Sequence, residues 1–220
     1  MLGDLYTMKK HIVCFGDSNT HGYRATDNGR FEEESRWTYL LGQKLGSDYL
    51  IIEEGLSGRT TCYDDPIHEG LSGLSYLYPC LMSHEPVDLL IIMLGTNDTK
   101  ERFGSSAACI ALGLKRLIAK AIATTDCWSN NKPNILVVTP KSIEKGYETT
   151  DVFSTMGRGC AEKSEQLGIE YEKIAELMGC HYFDANSVVK EYNKIDYMHL
   201  DSVGHEALAE ALAKLIPSIV

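Results

Sequence analysis

Leu89-Leu90-Ile91-Ile92-Met93-Leu94 runs without a polar side chain straight into Gly95-Thr96-Asn97-Asp98. A short apolar run closed by turn residues reads as a strand buried on both faces, the kind that builds a parallel sheet. Similar runs at residues 11–15, 50–52, 135–139 and 181–183 bring the expected strands to five. Helical periodicity fills the intervals. Residues 36–45 read as a helix, as do 107–122, where Ile110, Leu114, Leu117, Ile118 and Ile122 recur at three and four. Leu167, Tyr171, Ile174 and Met178 form one stripe over 156–178, and Val203, Ala207, Leu208, Ala211 and Leu212 another near the end. Strands alternating with helices predict an α/β fold, a parallel sheet covered on both faces. Residues 60–86, rich in Tyr, Gly, Pro and His, read as one long irregular stretch, either a pocket wall, an oligomer contact or a packed surface crossover.

With 220 residues, 44% of them hydrophobic, and no repeat or low-complexity linker, the chain is expected to form one domain spanning residues 1–220. Lys plus Arg is 21 and Asp plus Glu 31, a net charge of −10. That balance argues against nucleic acid as a partner, because binding a polyphosphate normally needs a basic patch. No apolar run approaches the roughly 20 residues of a membrane span, so no membrane partner is expected. The first ten residues place their two lysines after the apolar ones, the reverse of a secretory signal. Met8 is a possible internal start, which makes residues 1–7 a short arm or a tag.

Seven cysteines, an odd number without C-x-x-C spacing, suggest neither a disulfide framework nor a thiolate zinc site. They read as reduced side chains in a cytoplasmic protein. Three His-Glu pairs begin at His68, His84 and His205, but the residues four positions after those histidines are Ser72, Asp88 and Ala209, so no zinc-protease helix is present. No G-x-S-x-G elbow and no G-x-G-x-x-G phosphate loop occurs. Asn97-Asp98-Thr99 matches a glycosylation sequon that the expected compartment leaves unused.

Ligands of open parallel sheets bind beyond the carboxyl ends of the strands, so chemistry is sought there. The first strand ends in Gly16-Asp17-Ser18, the second is followed by Gly55-Leu56-Ser57-Gly58 and the third by Gly95-Thr96-Asn97. Ser18 is a nucleophile only if a base takes its proton during attack. Asp196-Tyr197-Met198-His199 supplies an imidazole, with a carboxylate three residues earlier that a helical turn would put on the same face. Asp196 could then hold Nδ1 of His199 and leave Nε2 for Ser18. The backbone N–H groups of Ser18 and Gly58 and the amide of Asn97 are candidate donors to an oxyanion. Taken alone, each has a plainer reading: Ser18 as a turn or capping serine, Asp196 and His199 as a helix start with a solvated ring, Asn97 as turn chemistry.

Gly16-Asp17-Ser18, Gly58, Gly95-Thr96-Asn97-Asp98 and Asp196-x-x-His199, in this order, resemble the signature blocks of the SGNH, or GDSL, hydrolases. Arg36-Trp37-Thr38, Arg59-Thr60-Thr61 and Phe183-Asp184-Ala185 narrow the likeness to the bacterial arylesterase branch, which includes acyltransferases and perhydrolases. The likeness covers nearly the whole chain and is weakest over residues 141–155. It implies a three-layer α/β/α sandwich, flavodoxin-like, with five parallel strands in the order 2-1-3-4-5, and no metal or organic cofactor. It implies Ser18 as nucleophile, His199 as base, Asp196 as orienting acid, and Ser18, Gly58 and Asn97 as oxyanion donors. The expected activity is hydrolysis of short-chain, acetyl-type esters of aryl alcohols or sugars by a homo-oligomer. Acyl transfer to an alcohol or peroxide is the alternative, and a non-catalytic carbohydrate-binding relative the remote one. Where many relatives carry an aromatic in the first block, this chain has His21, read either as a polar substrate-binding wall of the pocket or as a spectator turn residue.

Overall fold

A computed structural model describes residues 8–220; the expectation for residues 1–7, an arm or a tag, lies outside them. The chain opens with β1 (Lys10–Gly16) and a single turn, α1 (Ser18–His21), followed by a two-residue antiparallel pair, β2 (Tyr23–Arg24) and β3 (Gly29–Arg30). Next come α2 (Trp37–Leu45), β4 (Tyr49–Gly55), α3 (Gly73–Ser83), β5 (Leu89–Met93) and α4 (Ala107–Ala123). β6 (Ile135–Thr139), α5 (Phe153–Met156), α6 (Cys160–Met178), β7 (His181–Asp184) and α7 (Ser202–Leu215) complete it. The sheet order is β4-β1-β5-β6-β7, every pair parallel. Counting only these five strands, that is 2-1-3-4-5, as the resemblance implied.

Alternation along β1 distributes its side chains to two cores. Val13 and Phe15 pack with Leu77 of α3, Leu114 of α4 and Tyr171 of α6. Ile12 and Cys14 face the other way, against Trp37 and Leu41 of α2 and Leu208 and Leu212 of α7. β1, β5 and β6 are buried almost throughout, which is why their sequences are unbroken apolar runs rather than alternating ones. The outcome is a three-layer α/β/α sandwich. No helix among the described residues is long and apolar enough to cross a membrane.

Three expectations change. The stretch 60–86 is not wholly irregular, because α3 forms inside it and buries Leu77, Cys80 and Leu81 despite Pro79. The helix expected over 156–178 is two pieces: Gly157 and Gly159, at φ 74° and 75°, take left-handed backbone that no helix can pass through. Residues 196–199 are not a helical turn. They form a tight loop in which Tyr197 sits at φ 61° and the Asp196 side chain folds back on the following amides.

Candidate active site

Register brings the expected loops together. Gly16 at the end of β1 pairs with Gly55 of β4 and with Met93 of β5, so the three strands finish side by side and their loops leave from one edge. Asp17 caps α1 by accepting from the amide of Asn19 at 3.0 Å, which starts the turn at Ser18. Only glycine fits at position 16, where a Cβ would lie 2.0 Å from Oγ1 of Thr20.

From the far end of the chain, His199 reaches the same place. Its Nε2 lies 2.8 Å from Oγ of Ser18, and its Nδ1 lies 2.7 Å from Oδ2 of Asp196. All three residues are buried. Oδ1 of Asp196 accepts from the amides of Met198 and His199, both at 3.1 Å, and from Nδ2 of Asn193 at 2.9 Å. Burial works to raise this carboxyl. The hydrogen bond and charge of His199, with the Met198 amide and Asn193, outweigh it and hold Asp196 below the usual carboxylate range. A charged carboxylate on Nδ1 fixes the tautomer that leaves Nε2 as a proton acceptor.

A cavity of about 400 Å³ opens over Ser18 and His199, with Gly58 and Asn97 in its wall. The amide groups of Ser18 and Gly58 make no hydrogen bond within the described residues. Asn97 spends one amide hydrogen on the carbonyl of Arg59 at 3.2 Å and keeps the other. Gly58 stands at φ 89°, a backbone that residues with a side chain rarely adopt, which favours glycine here. One hydroxyl, one oriented imidazole and three donors on one cavity can attack a carbonyl and stabilise the charge that develops on its oxygen.

Comparison with known proteins identifies the family and the fold. The model of the GDSL-like lipase/acylhydrolase family matches residues 14–207. The chain belongs to that family. Among solved structures, the native aryl esterase of M. smegmatis is 38% identical, with a TM-score of 0.89 over 96% of this chain and 100% of that one. A carbohydrate acetylesterase from Sinorhizobium meliloti is 35% identical, with a TM-score of 0.88 and the same coverage of both chains. A lipase/acylhydrolase from Enterococcus faecalis, 19% identical over 95% of this chain and 96% of that one, shares the fold at a TM-score of 0.70. No curated protein matches.

Within this GDSL-family site, one residue moves from its expected place. His21 does not line the cavity. It closes α1 against the end of β4, where a Cβ on Gly55 would strike its backbone nitrogen. Its carbonyl accepts from Nε of Arg30 at 2.7 Å, and partial burial followed by the Arg30 charge pulls its imidazole pKa down. The aromatic wall comes instead from Tyr23, whose ring centroid lies 4.4 Å from that of His199. Two residues along, across the left-handed Gly22, the chain has turned back toward the site.

Sequence reasoning also passed over the residues that hold the family blocks together. Asn19 accepts from the amide of Leu200 at 2.8 Å and donates to the carbonyl of Met198 at 3.2 Å. Asp98 accepts from the backbone amide of Thr61 at 2.9 Å and from its hydroxyl. Arg59 donates to the carbonyls of Gly16, at 3.0 Å, and Glu54 while stacking on Phe15 at 4.3 Å. These clamps were invisible because each joins residues 37 or more apart or depends on a carbonyl that no sequence pattern marks.

Proposed function

We propose that this serine esterase hydrolyses short-chain, acetyl-type esters of aryl alcohols or sugars through an acyl-enzyme on Ser18. His199 takes the Ser18 proton as Oγ attacks, Asp196 holds the imidazolium that forms, and the N–H groups of Ser18, Gly58 and Asn97 receive the oxyanion. His199 then protonates the leaving alcohol, and a water activated by the same ring releases the acid. The observation that carries this reading is the unbroken relay from Asp196 through His199 to Ser18, at 2.7 and 2.8 Å.

The cavity supports the preference for small acyl groups and semipolar alcohols. Leu71, Val152, Met156 and Met198 give it apolar surface, while Ser57, His68, Lys100 and Thr155 add polar groups at its border. The named activities of the aryl esterase and the carbohydrate acetylesterase lie in the same substrate range. Free cysteines, including the buried Cys14, Cys80, Cys127 and Cys160, support a cytoplasmic setting. Leu50, Leu56, Tyr76 and Tyr78, exposed on β4, the loop after it and α3, support self-association into a homo-oligomer, which light scattering on the purified protein will test.

A panel of p-nitrophenyl acetate, butyrate and octanoate beside acetylated sugars tests the reading. Acetyl esters are expected to turn over fastest, Ser18→Ala to abolish turnover, and a fluorophosphonate to label Ser18 alone. Full esterase activity in Ser18→Ala would overturn the scheme.

A further inference from the structure

Outside the lining of the hydrolytic cavity, three different metal-ligating side chains converge. Glu54 comes from the carboxyl end of β4, Cys80 from the last turn of α3, and His84 is the residue that ends that helix. One ligand atom from each, a carboxylate oxygen, Sγ and an imidazole nitrogen, all lie within 4.8 Å of one another. Nε2 of His84 and Oε1 of Glu54 are already 2.7 Å apart. No other such group of three is found among the described residues.

We propose that Glu54, Cys80 and His84 form a binding site for a single zinc-class divalent ion, with water completing a tetrahedral shell. The donor set selects the ion. A thiolate with an imidazole suits zinc and its neighbours and disfavours magnesium and calcium, which take oxygen ligands. The spacing suits it too, because Cys80 and His84 are four residues apart at a helix end and so lie on one face. Cys80 is fully buried while His84 and Glu54 keep part of their surface exposed, so an ion enters from solvent with the thiolate at its back. The spacing of the cysteines gave no hint of this site, since its third ligand arrives from a strand 26 residues before Cys80.

Binding balances simply. The ion takes the thiolate of Cys80 and releases its proton to solvent. It replaces the hydrogen bond between His84 and Glu54, and the proton on Nε2 of His84 moves to Nδ1 as the ring changes tautomer. The consequence for the fold is a clamp from the end of β4 to the end of α3. Glu54 is also the residue whose carbonyl accepts from Arg59, and the chain between them carries Gly58. An ion at this site therefore stiffens the segment that presents one of the oxyanion donors.

Titration of the full-length, reduced, metal-free protein with Co²⁺ tests the site, followed by displacement with Zn²⁺. One equivalent should produce a near-ultraviolet thiolate-to-cobalt charge-transfer band and the visible absorption of tetrahedral cobalt, both erased by zinc. Saturating zinc should raise Tm by about 5 to 10 °C at a hundredfold excess over Kd, as binding to the folded state alone requires. His84→Ala, at a partly exposed position that does not threaten the core, should weaken Co²⁺ binding at least tenfold and abolish the Tm gain. Cys109→Ser, which removes the exposed thiol instead, should leave both intact. Absence of the charge-transfer band in the wild type, its appearance in His84→Ala at the wild-type cobalt concentration dependence, or its loss in Cys109→Ser would overturn the assignment. None of these readouts depends on hydrolysis, so the site stands or falls separately from the esterase reading.

Discussion

Asn19 holds the peptide on either side of His199: its Oδ1 accepts from the Leu200 amide at 2.8 Å and its Nδ2 donates to the Met198 carbonyl at 3.2 Å. The residue after Ser18 thus ties down the loop of His199, the proposed base, across 181 positions of sequence in one bond and 179 in the other. Two hydrogen bonds from one buried amide set both the depth and the tilt of the loop carrying the imidazole. Asn19→Ala should leave Ser18 in place and loosen His199 by a fraction of an ångström. Displacements of about 1 Å can cost roughly 10²-fold in rate. The expected result is a kcat loss of about 10- to 100-fold with KM changed far less, measured on p-nitrophenyl acetate. A loss confined to KM would show that Asn19 contacts substrate rather than positioning the base.

Asn97 joins a proposed oxyanion donor to a structural tether. Its side chain already has one partner, the Arg59 carbonyl at 3.2 Å, so removing it loses a tether as well as a donor. Removal of one oxyanion donor typically costs about 10²- to 10³-fold in kcat. Asn97→Ala should therefore fall by that factor while still reacting with a fluorophosphonate at Ser18. Unaltered kcat in a folded Asn97→Ala protein would remove the residue from the proposed machinery.

What the sequence made legible follows from how each element is stabilised. β1, β5 and β6 were readable because a strand buried on both faces must be apolar throughout. α3 was hidden because Pro79 and its tyrosines mimic loop composition, although Leu77 and Leu81 bury one stripe. Ser18, Gly58, Asn97, Asp196 and His199 are all legible in the sequence, and the structure brings four of them to one cavity, with Asp196 behind His199 at 2.7 Å. Asp196 and His199 meet by a different route from the helical face their spacing suggests. A side-chain turn, with Tyr197 in left-handed backbone, joins them where a helical face was expected. His21 was misplaced because sequence distance from Ser18 says nothing about Gly22, whose φ of 80° turns the chain and delivers Tyr23 instead.

Asp98 should reveal itself through pH. Burial, only partly offset by hydrogen bonds from Thr61, pushes its carboxyl up to about 6, against about 3.9 for an unfolded aspartate. The folded state therefore binds the proton more tightly. Its contribution is present below pH about 4 and is lost as pH rises through about 6, leaving a buried carboxylate as a cost at neutrality. Asp98→Asn cannot titrate. Its unfolding free energy minus that of the wild type should increase between pH 4 and 6, by roughly 1 kcal/mol per pH unit at most, and then level off. Urea melts at pH 4, 5, 6 and 7 measure this, and parallel curves for the two proteins would refute it.

His205 makes the opposite prediction from a different layer of the fold. Its Nδ1 accepts from the amide of Trp37 at 3.2 Å, at the start of α2, where Arg36 offers no side-chain cap. The imidazole thus serves α2 as an N-terminal acceptor, a role that only its neutral form can fill. Burial first, then the charges of Arg36 and His199, bring its pKa down to about 3, far below the roughly 6.5 of an unfolded histidine. Between those values the unfolded chain holds a proton that the folded protein refuses. Stability is therefore fully present above pH about 6.5 and drains away as pH falls toward 3. His205→Gln keeps an acceptor oxygen without the titration. It should lose less stability than the wild type between pH 6 and 4, by up to roughly 1 kcal/mol per pH unit. His205→Ala, which gives up the cap, should cost about 1 to 2 kcal/mol at pH 7 before any cavity cost is added. Denaturant unfolding of the three proteins at pH 4, 5 and 7 distinguishes the terms. If the glutamine variant tracked the wild type down through acid, the buried neutral imidazole would not be the source of acid sensitivity.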